Sequence, residues 1–393
     1  MPAMLRCGRV DREPSFTEIL CSPRHTRVIS KTYNLQNSVA MLRDCWSGND
    51  HLVLTAFIHR SPERTLTRMA IQPSRPERND LTIDIPSINP PRRTTIARRL
   101  FRLLFLFVVV PYIGVHILLI VAQRQMIFVP TKTEPLSATL VQLPGVTVRD
   151  VSLTTPDEQK LHGWLYHKAD AVDDDINPSP NLLIYFPGNS GTRQWRTEDC
   201  LEFVRLGYQV LLFDYRGYSE NPGSPSEAAF ASDANAVWEY ATRELKFPPE
   251  RITLFGESMG GGVATRLAME RSVAGTSPAA LILNSTYASI PATVLAHYPA
   301  LPLLPYFVWD RFPSIDRIGQ VSCPVLQFHC TEDDITPYAH ARQLFAAAPE
   351  NSASGVVKQF VTTEGGQHNF IPPETMRQAI RELQARIAQP ALR

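Results

Sequence analysis

A single serine stands between glycines in the segment GESMGGG, which begins at Gly256. Gly256 and Gly260 lie two positions to either side of Ser258, and the apolar run RITLF ends directly before them. A serine on such a sharp strand-to-helix turn exposes its hydroxyl on a strained backbone, and the glycines leave space for the turn. Gly261 and Gly262 allow the helix to pack closely. The pattern predicts Ser258 as a nucleophile, with a glycine-rich helix start as the alternative.

A serine hydroxyl is a weak nucleophile and needs a general base that a third group orients. His368 lies in the segment TEGGQHNF, which follows a predicted strand at 356–362. Functional loops of a parallel sheet follow the carboxyl ends of its strands. We therefore predict that His368 takes the serine proton and returns it to a leaving group. An ordinary surface histidine is the alternative.

The third group is predicted in the segment HCTEDDITP, which follows a strand at 324–329. Glu332, Asp333 and Asp334 are adjacent there, and only one of them can point at the imidazole. We favour Asp333 and keep Asp334 as the alternative, because the neighbouring carboxylates can be solvated or can serve the next helix start. The order serine, acid, histidine is the one that this sheet topology requires.

Backbone amides are predicted to stabilise the oxygen on which negative charge develops during acyl transfer. The turn after the serine directs the amide of Met259 toward that oxygen. A second amide, near Asn189, is expected from the loop YFPGNSG that follows the strand 181–186. An ordinary Pro-Gly turn is the alternative interpretation of this loop.

Apolar stretches alternate with helix-like stretches downstream of residue 145. Such alternation favours a mostly parallel sheet covered by helices on both faces. The first two strands are joined only by TTPDEQ and are expected to form an antiparallel hairpin at the edge. The predicted strands are VTVRDVSL, KLHGWLYH, NLLIYF, YQVLLF, RITLF, ALILN, PVLQFH and VVKQFV, and the predicted helices cover 226–244, 258–271, 338–347 and 374–388.

These residues together resemble the α/β-hydrolase superfamily, and within it the eukaryotic serine hydrolases with one N-terminal membrane anchor. The resemblance covers about residues 123–390 and rests on QRQMIFVP, YFPGNSG, FDYRGYSENPGSPSE, GESMGG, HCTEDDITP and GGQHNF. It implies the α/β-hydrolase fold and a structural loop containing Asp214, Arg216 and Gly217. Within that loop Arg216 is expected to form a salt bridge, with contact to an anionic substrate as the alternative. The sequence departs from the family pattern at Pro187, Cys330 and Thr336, where histidine, glycine and valine are common.

The segment LLFLFVVVPYIGVHILLIVA, residues 103–122, contains 20 residues without a formally charged side chain. A helix of this length spans the hydrocarbon core of a bilayer. Pro111, Gly114 and His116 are tolerated in membrane helices. The segment begins too far along the chain for a signal peptide and lacks a cleavage pattern after it. We predict one transmembrane helix; a buried helix of the soluble domain is the alternative.

The chain differs in charge on the two sides of this segment. Residues 1–102 contain 17 Lys or Arg and 9 Asp or Glu, so the remaining 291 residues carry a net charge of −7. Arginines are concentrated between positions 92 and 102. Because positive residues flanking a membrane helix favour the cytosolic side, this predicts a cytosolic N-terminus and a catalytic part in the lumen or outside the cell. The endoplasmic reticulum is a compatible compartment. Residues 1–95 show no sustained periodicity, which favours a basic, disordered tail.

Residues 285–320 are expected to form a short cap over the site. An apolar rim beside a bilayer suits a lipid or acylated substrate. The apolar residues of the cap are explained equally well as a wall for an acyl chain or as ordinary core packing. They are Tyr298, Leu301, Leu303, Leu304, Tyr306, Phe307, Val308 and Trp309.

Composition and motifs exclude several other classes of protein. The acidic C-terminal part argues against a nucleic-acid partner. The chain contains no HExxH, CxxC pair, P-loop or dinucleotide glycine pattern, so neither a metal nor a cofactor is predicted. We predict a membrane-anchored serine hydrolase that cleaves a carboxylic ester or thioester. The alternatives are a serine peptidase of prolyl-oligopeptidase type, for which a preceding propeller-sized domain is missing, and a catalytically retired membrane-tethered scaffold.

Overall fold

The computed structural model of the protein describes residues 29–35, 38–45, 53–58, 93–169 and 181–389. The chain divides into two compact units, Met1–Asn89 and Pro90–Arg393. All residues of the predicted catalytic site lie in the second unit.

In the first unit three strands form an antiparallel meander. β1 (Ile29–Leu35) pairs with β2 (Ser38–Cys45), which pairs with β3 (Val53–Ile58). The sequence predicts no strand here, because polar and apolar residues show no sustained alternation and strand pairing is not a local property. The other residues of the predicted tail, up to residue 92, lie outside the described residues.

The second unit is built around an eight-stranded sheet, and a separate pair of two-residue strands lies beside it. The strands are β4 (Val129–Pro130), β5 (Val146–Thr154), β6 (Lys160–Lys168), β7 (Asn181–Phe186), β8 (Ser190–Gly191), β9 (Tyr208–Phe213), β10 (Ile252–Glu257), β11 (Ala280–Asn284), β12 (Val325–Cys330) and β13 (Gln359–Thr363). Strands β4 and β8 form the separate pair.

The order of strands in the large sheet is β13-β12-β11-β10-β7-β9-β6-β5. The edge strand β5 is antiparallel to β6, β6 is antiparallel to β9, and the other neighbours are parallel. This arrangement confirms the mostly parallel sheet with an antiparallel edge hairpin. The eight predicted strands are all present, although β13 begins three residues later than predicted.

Helices cover both faces of the sheet, as predicted. The helices that the structure describes in the second unit are α1 (Arg93–Leu104), α2 (Val110–Ile127), α3 (Thr197–Arg205), α4 (Glu227–Glu239), α5 (Met259–Val273), α6 (Ile290–His297), α7 (Ser314–Arg317), α8 (Tyr338–Ala347) and α9 (Pro373–Ala388). Helix α4 continues into a π-helical turn, Tyr240–Glu244. The four helices predicted from spacing correspond to α4, α5, α8 and α9, whereas α3, α6 and α7 were not predicted.

Two apolar cores lie on opposite faces of the sheet. Successive residues of β7 alternate between them, since Leu182 and Ile184 pack with one core and Leu183 and Tyr185 with the other. This alternation follows from the two-residue repeat of a strand. Helices α4 and α5 cover the first core, and α3 and α9 cover the second. The strands are therefore buried on both faces, as their continuous apolar sequences require.

A long helix, Thr95–Ile127, precedes the sheet. Within it, α1 continues into α2 through a π-helical turn, Phe105–Val109. The turn lies just before Pro111, whose ring removes a hydrogen-bond donor and crowds the preceding turn. The helix is long and apolar enough to cross a membrane, and only 6% of its most apolar stretch is buried within the protein. The alternative of a buried helix of the soluble domain is therefore wrong.

The segment predicted as a cap contains α6, a 3-10 turn at Leu304–Phe307, α7 and a second 3-10 turn at Ile318–Gln320. Leu304 and Val308 are buried, whereas Tyr306 is 79% exposed and Phe307 and Trp309 are also exposed. Core packing thus explains only part of the apolar sequence. The inward residues lie against α2, where they line a narrow cavity of about 50 Å³.

Candidate active site

Ser258 lies between β10 and α5 with φ 50° and ψ −114°. A positive φ is costly for a residue with a side chain, so the strained backbone expected from the glycine pattern is confirmed. The amide of Ser258 donates to the Asn284 carbonyl at 2.8 Å, which ties the turn to the end of the neighbouring strand β11. The turn therefore holds its strained conformation through the sheet.

The flanking glycines are required by close backbone approaches. A Cβ atom on Gly256 would lie 2.6 Å from the Cα of Gly261, and one on Gly260 would lie 2.0 Å from the Phe186 carbonyl oxygen. A Cβ atom on Gly261 would meet the Thr286 side chain at 2.2 Å. Helix α5 can therefore approach β7 and the residues after β11 only because these positions lack side chains.

The structure brings Ser258, Asp333 and His368 together from three distant loops. His368 Nε2 lies 2.8 Å from Ser258 Oγ, and His368 Nδ1 lies 2.9 and 3.0 Å from the two Asp333 carboxylate oxygens. With Nδ1 donating to the carboxylate, Nε2 accepts the serine proton. This chain of contacts is the arrangement that a serine nucleophile, a general base and an orienting acid require.

Among the three adjacent carboxylates, the environment favours Asp333 as the acid that orients His368. Asp333 is buried, while Glu332 and Asp334 are exposed. The Asp333 carboxylate accepts hydrogen bonds from the amides of Ile335 and Thr336 at 3.0 and 2.8 Å. Burial opposes its ionisation, but the hydrogen bonds from His368 and the Thr336 amide outweigh this effect and hold the pKa of Asp333 below its usual range.

Two further side chains contact this carboxylate. Thr336, one of the departures from the family pattern, places its hydroxyl 2.9 Å from Asp333 Oδ2 and 3.2 Å from His368 Nδ1. His329 lies behind the carboxylate, where its Nε2 donates to the Thr336 carbonyl at 2.8 Å. Burial lowers the pKa of His329, so at neutral pH this imidazole supplies no positive charge to the acid.

The loop after β7 is held on several sides around Asn189. The Asn189 carbonyl accepts from the Val129 amide at 3.1 Å and from the Tyr218 hydroxyl at 2.9 Å. Its side-chain amide donates to the Ile127 carbonyl at 3.1 Å. The end of the long helix is thereby bonded directly to the loop that was predicted to contribute an oxyanion donor.

The other predicted oxyanion donor is the amide of Met259. Met259 is the first residue of α5, so its amide takes no part in the hydrogen-bond ladder of the helix. Gly188 brings the loop after β7 close to the nucleophile, because a Cβ atom on Gly188 would lie 3.6 Å from Ser258 Cβ. The two loops that carry Asn189 and Met259 are therefore neighbours at the site.

Glu257 is a site residue that the sequence reading missed. It immediately precedes Ser258 and is buried. Its carboxylate accepts from Arg196 Nε at 2.8 Å, from the Tyr185 hydroxyl at 2.8 Å and from Asn369 Nδ2 at 2.8 Å. A charged residue at the end of an otherwise apolar strand was the available signal, but its partners come from loops far away in the sequence.

The loop that contains His368 is fixed through its next residue, Asn369. The Asn369 amide donates to Ser285 Oγ at 3.1 Å, and its carbonyl accepts from Asn284 Nδ2 at 3.3 Å. Asn284, Ser285 and Thr286 form an N-x-S/T sequence but are buried. These residues therefore support the histidine loop and are not accessible for glycosylation.

Arg216 forms the salt bridges expected of a structural loop. Its guanidinium contacts Asp233 at 3.0 Å and Asp157 at 2.6 Å, and it is buried. Hydrogen bonds from Arg216 hold the pKa of Asp157 well below its usual range. The guanidinium is therefore already engaged by two carboxylates, which supports the structural interpretation of this loop.

The α/β-hydrolase class is defined by a strained serine turn at the carboxyl end of a strand in a mostly parallel sheet, with the acid and histidine loops at the ends of later strands. The family model described as alpha/beta hydrolase fold matches residues 181–308. The chain belongs to the α/β-hydrolase superfamily and is a hydrolytic enzyme whose curated relatives include lipases.

Its curated relatives include proteins from bacteria and from vertebrates. The chain is 39% identical over 247 residues to the uncharacterized protein Rv2307c of Mycobacterium tuberculosis, covering 63% of this chain and 80% of that protein. It is 33% identical over 221 residues to the lysophosphatidylserine lipase ABHD12 of Danio rerio, covering 52% of this chain and 57% of the lipase. The chain thus spans little more than half the length of the lipase.

The fold is also similar to that of a solved esterase. The Pyrococcus furiosus esterase Pf2001 superimposes with a TM-score of 0.51 at 17% sequence identity, covering 65% of this chain and 98% of the esterase. This likeness concerns the fold alone.

Proposed function

We propose that the protein is a membrane-anchored serine hydrolase that cleaves the acyl ester of a lipid with a single acyl chain. Ser258 is the nucleophile, His368 the general base and Asp333 the orienting acid. The observation that carries this proposal is the continuous chain of hydrogen bonds from Ser258 Oγ through the imidazole to the Asp333 carboxylate. A hydroxyl in this setting is poised for acyl transfer.

The reaction proceeds in two steps. Ser258 Oγ attacks the acyl carbonyl carbon while His368 Nε2 takes the hydroxyl proton, and the amides of Met259 and Asn189 stabilise the resulting oxyanion. Collapse expels the alcohol, which receives the proton from His368. Water then attacks the acyl-enzyme with His368 again as base, so that the fatty acid leaves and Ser258 is regenerated. The residues themselves perform every proton transfer.

The choice of a lipid substrate rests on where the long helix ends. Asn189 bonds to Ile127 at the end of that helix and to Val129 just after it. If the helix spans a bilayer, the nucleophile lies close to the membrane surface. A lipid ester can then reach the site without passing through bulk water. The lysophosphatidylserine lipase relatives suggest a phospholipid with one acyl chain.

Covalent labelling tests the nucleophile. We expect a fluorophosphonate probe to label the full-length wild type in detergent and to leave Ser258→Ala unlabelled, because the probe reacts only with an activated hydroxyl. Ser224→Ala, which changes an exposed serine, is the matched control and should label normally. Undiminished labelling of a folded Ser258→Ala variant would show that another residue is the nucleophile.

A substrate comparison tests the chemical class. Lysophospholipids, long-chain acyl thioesters and p-nitrophenyl esters are offered to the reconstituted wild type and to Ser258→Ala. We expect hydrolysis of lysophospholipid to be fastest and to depend on Ser258. Faster turnover of the thioesters would change the proposed substrate while leaving the nucleophile assignment intact. A cellular phenotype that is unchanged by Ser258→Ala would favour the scaffold alternative.

A further inference from the structure

One face of the long helix is covered by the cap segment. The Tyr112 hydroxyl donates to the Ala300 carbonyl at 3.2 Å, and the Gln123 side chain donates to the Phe307 carbonyl at 3.2 Å and accepts from the Trp309 amide at 2.8 Å. His116 lies between these positions and is buried. Tyr112, His116 and Gln123 share one helix face, since they are four and seven residues apart.

These contacts extend far into the predicted membrane span. Tyr112 and Gln123 are 11 residues apart, which corresponds to about 16 Å along a helix. The uncharged run 103–122 just fills a hydrocarbon core of about 30 Å. The cap segment therefore accompanies the helix across roughly half of that core. Tyr112 and His116, the polar side chains of the run, both lie on the cap side of the helix, where His116 is buried and Tyr112, although 39% exposed, is bonded to the cap; polar groups in membrane helices are commonly placed against protein in this way.

The outer surface of the cap has the composition of a lipid-facing surface. Between Arg271 and Asp310 the sequence contains no Asp, Glu, Lys or Arg. We call residues 295–309 the apolar shoulder. Its only histidine, His297, is engaged with the Ile335 carbonyl at 2.8 Å. Apart from His297, which is also exposed, its exposed large side chains are aliphatic or aromatic: Leu295, Tyr298, Leu303, Tyr306, Phe307 and Trp309.

Charged residues appear where the shoulder ends. Arg124 Nε contacts Asp310 Oδ2 at 2.9 Å, and the Arg124 guanidinium lies 5.8 Å from the centre of the Trp309 ring. Tryptophan is enriched at the membrane–water interface, and arginine side chains near the end of a membrane helix extend to that interface. The pair Arg124 and Asp310 is therefore placed at the level of the headgroups, and the shoulder lies on its hydrocarbon side.

We propose that the apolar shoulder is immersed in the bilayer leaflet next to the catalytic domain and forms, with α2, one continuous lipid-facing surface. The acyl chains of the membrane lipids cover this exposed surface. The proposal rests on the membrane crossing of the long helix, and not on the identity of the nucleophile. It extends the anchor from the long helix alone to the long helix together with the apolar shoulder.

Tryptophan fluorescence in vesicles tests this placement. The full chain is reconstituted in phosphatidylcholine vesicles with bromine atoms on the acyl chains. Leu303→Trp adds a fluorophore to the shoulder, and Val273→Trp adds one at another exposed position, the last residue of α5. Both positions are exposed, so neither change removes a core contact. We expect the added emission of Leu303→Trp to be quenched by brominated lipid and resistant to aqueous iodide, with the opposite result for Val273→Trp.

The other outcomes overturn the proposal in distinguishable ways. Quenching of the Leu303→Trp emission by iodide but not by lipid would place the shoulder in water. Protection from both quenchers would assign it to a protein contact, such as a second copy of the chain. Release of the wild type from vesicles by alkaline carbonate would show that the long helix does not cross the membrane, which would overturn this proposal. Fluorophosphonate labelling of Ser258 would be unaffected by that result.

Discussion

Asp333 and Asp334 are neighbours in sequence but have opposite environments. Asp333 is buried and bonded to His368, whereas Asp334 is exposed. The sequence narrowed the acid to a cluster of three carboxylates, because any of them can follow the strand. Only the side-chain directions in the folded loop distinguish them. The two aspartates are therefore a matched pair for testing the role of the acid.

Asp333→Asn should lower kcat on the order of 10³- to 10⁴-fold, as expected for loss of the orienting acid in a Ser-His-Asp arrangement. Asp334→Asn should leave kcat nearly unchanged. Hydrolysis of a soluble ester measures both. Equal losses in the two variants, or a larger loss in Asp334→Asn, would contradict the assignment.

The lowered pKa of Asp333 also predicts that the stability of the protein depends on pH. The folded protein holds the pKa of Asp333 below its usual range, so the ionised carboxylate stabilises the fold above the unfolded-state pKa of about 4. This contribution is lost as pH falls through the lower folded-state pKa. Thermal unfolding should therefore show a gap between wild type and Asp333→Asn at pH 7 that narrows below pH 4. A gap that widens in acid would contradict this linkage.

Glu257 is expected to position the site without contacting substrate. It connects the nucleophile turn to Arg196 and to Asn369 beside the general base. Glu257→Gln leaves the Arg196 charge without its partner and should cost on the order of 3 kcal/mol in stability. We expect kcat to fall with little change in KM, while the exposed Glu250→Gln has no effect. A loss of stability with unchanged kcat would reduce Glu257 to a structural role.

At the scale of elements, the site depends on how closely α5 approaches the sheet. A Cβ atom added to Gly256, Gly260 or Gly261 would lie closer to another residue's backbone or side chain than ordinary contacts allow. The strand before the serine and the helix after it were recognisable from their periodicity. The glycines indicated a tight turn, and the structure identifies the strand and loop that they meet.

Gly260→Ala should be strongly destabilising, because its Cβ would lie 2.0 Å from the Phe186 carbonyl oxygen. The obstacle is backbone, so β7 or α5 must move, at about 3 kcal/mol or more. Gly319→Ala is the matched control, since its nearest neighbour would be 3.6 Å away; it should be neutral or stabilise by about 0.4–1 kcal/mol. Thermal unfolding and fluorophosphonate labelling measure both. A Gly260→Ala variant as stable as Gly319→Ala would contradict the packing.

At the scale of the whole molecule, charge and apolar surface are distributed unevenly. Residues 1–102 carry a net charge of +8 and the rest −7. Arg98, Arg99 and Arg102 are exposed at the start of the long helix, while its end is bonded to the catalytic domain. This asymmetry underlies the proposed orientation, with the N-terminus in the cytosol.

An epitope at the C-terminus should resist protease in sealed microsomes and become sensitive when detergent opens them. Replacing Arg98, Arg99 and Arg102 with alanine should lower the protected fraction, because the positive charges that retain the N-terminal side in the cytosol are removed. Immunoblotting of the epitope measures both. Digestion of the wild-type epitope in intact microsomes would refute a lumenal catalytic domain.

The sequence by itself determined the features that arise over short stretches of chain. Strand and helix periodicity, the glycines around Ser258 and the uncharged run 103–122 are local, because backbone geometry and the thickness of a bilayer set their spacing. The loops that bear Asp333 and His368 were also recognisable, since functional loops follow the ends of parallel strands.

Only the tertiary structure decided which side chains meet. It selected Asp333 from three adjacent carboxylates, connected Glu257 to Arg196 and Asn369, and placed Tyr112 of the long helix against Ala300 of the cap. These contacts join residues 35 to 188 positions apart. Such pairs depend on how whole elements pack, and no local pattern in the sequence encodes that packing.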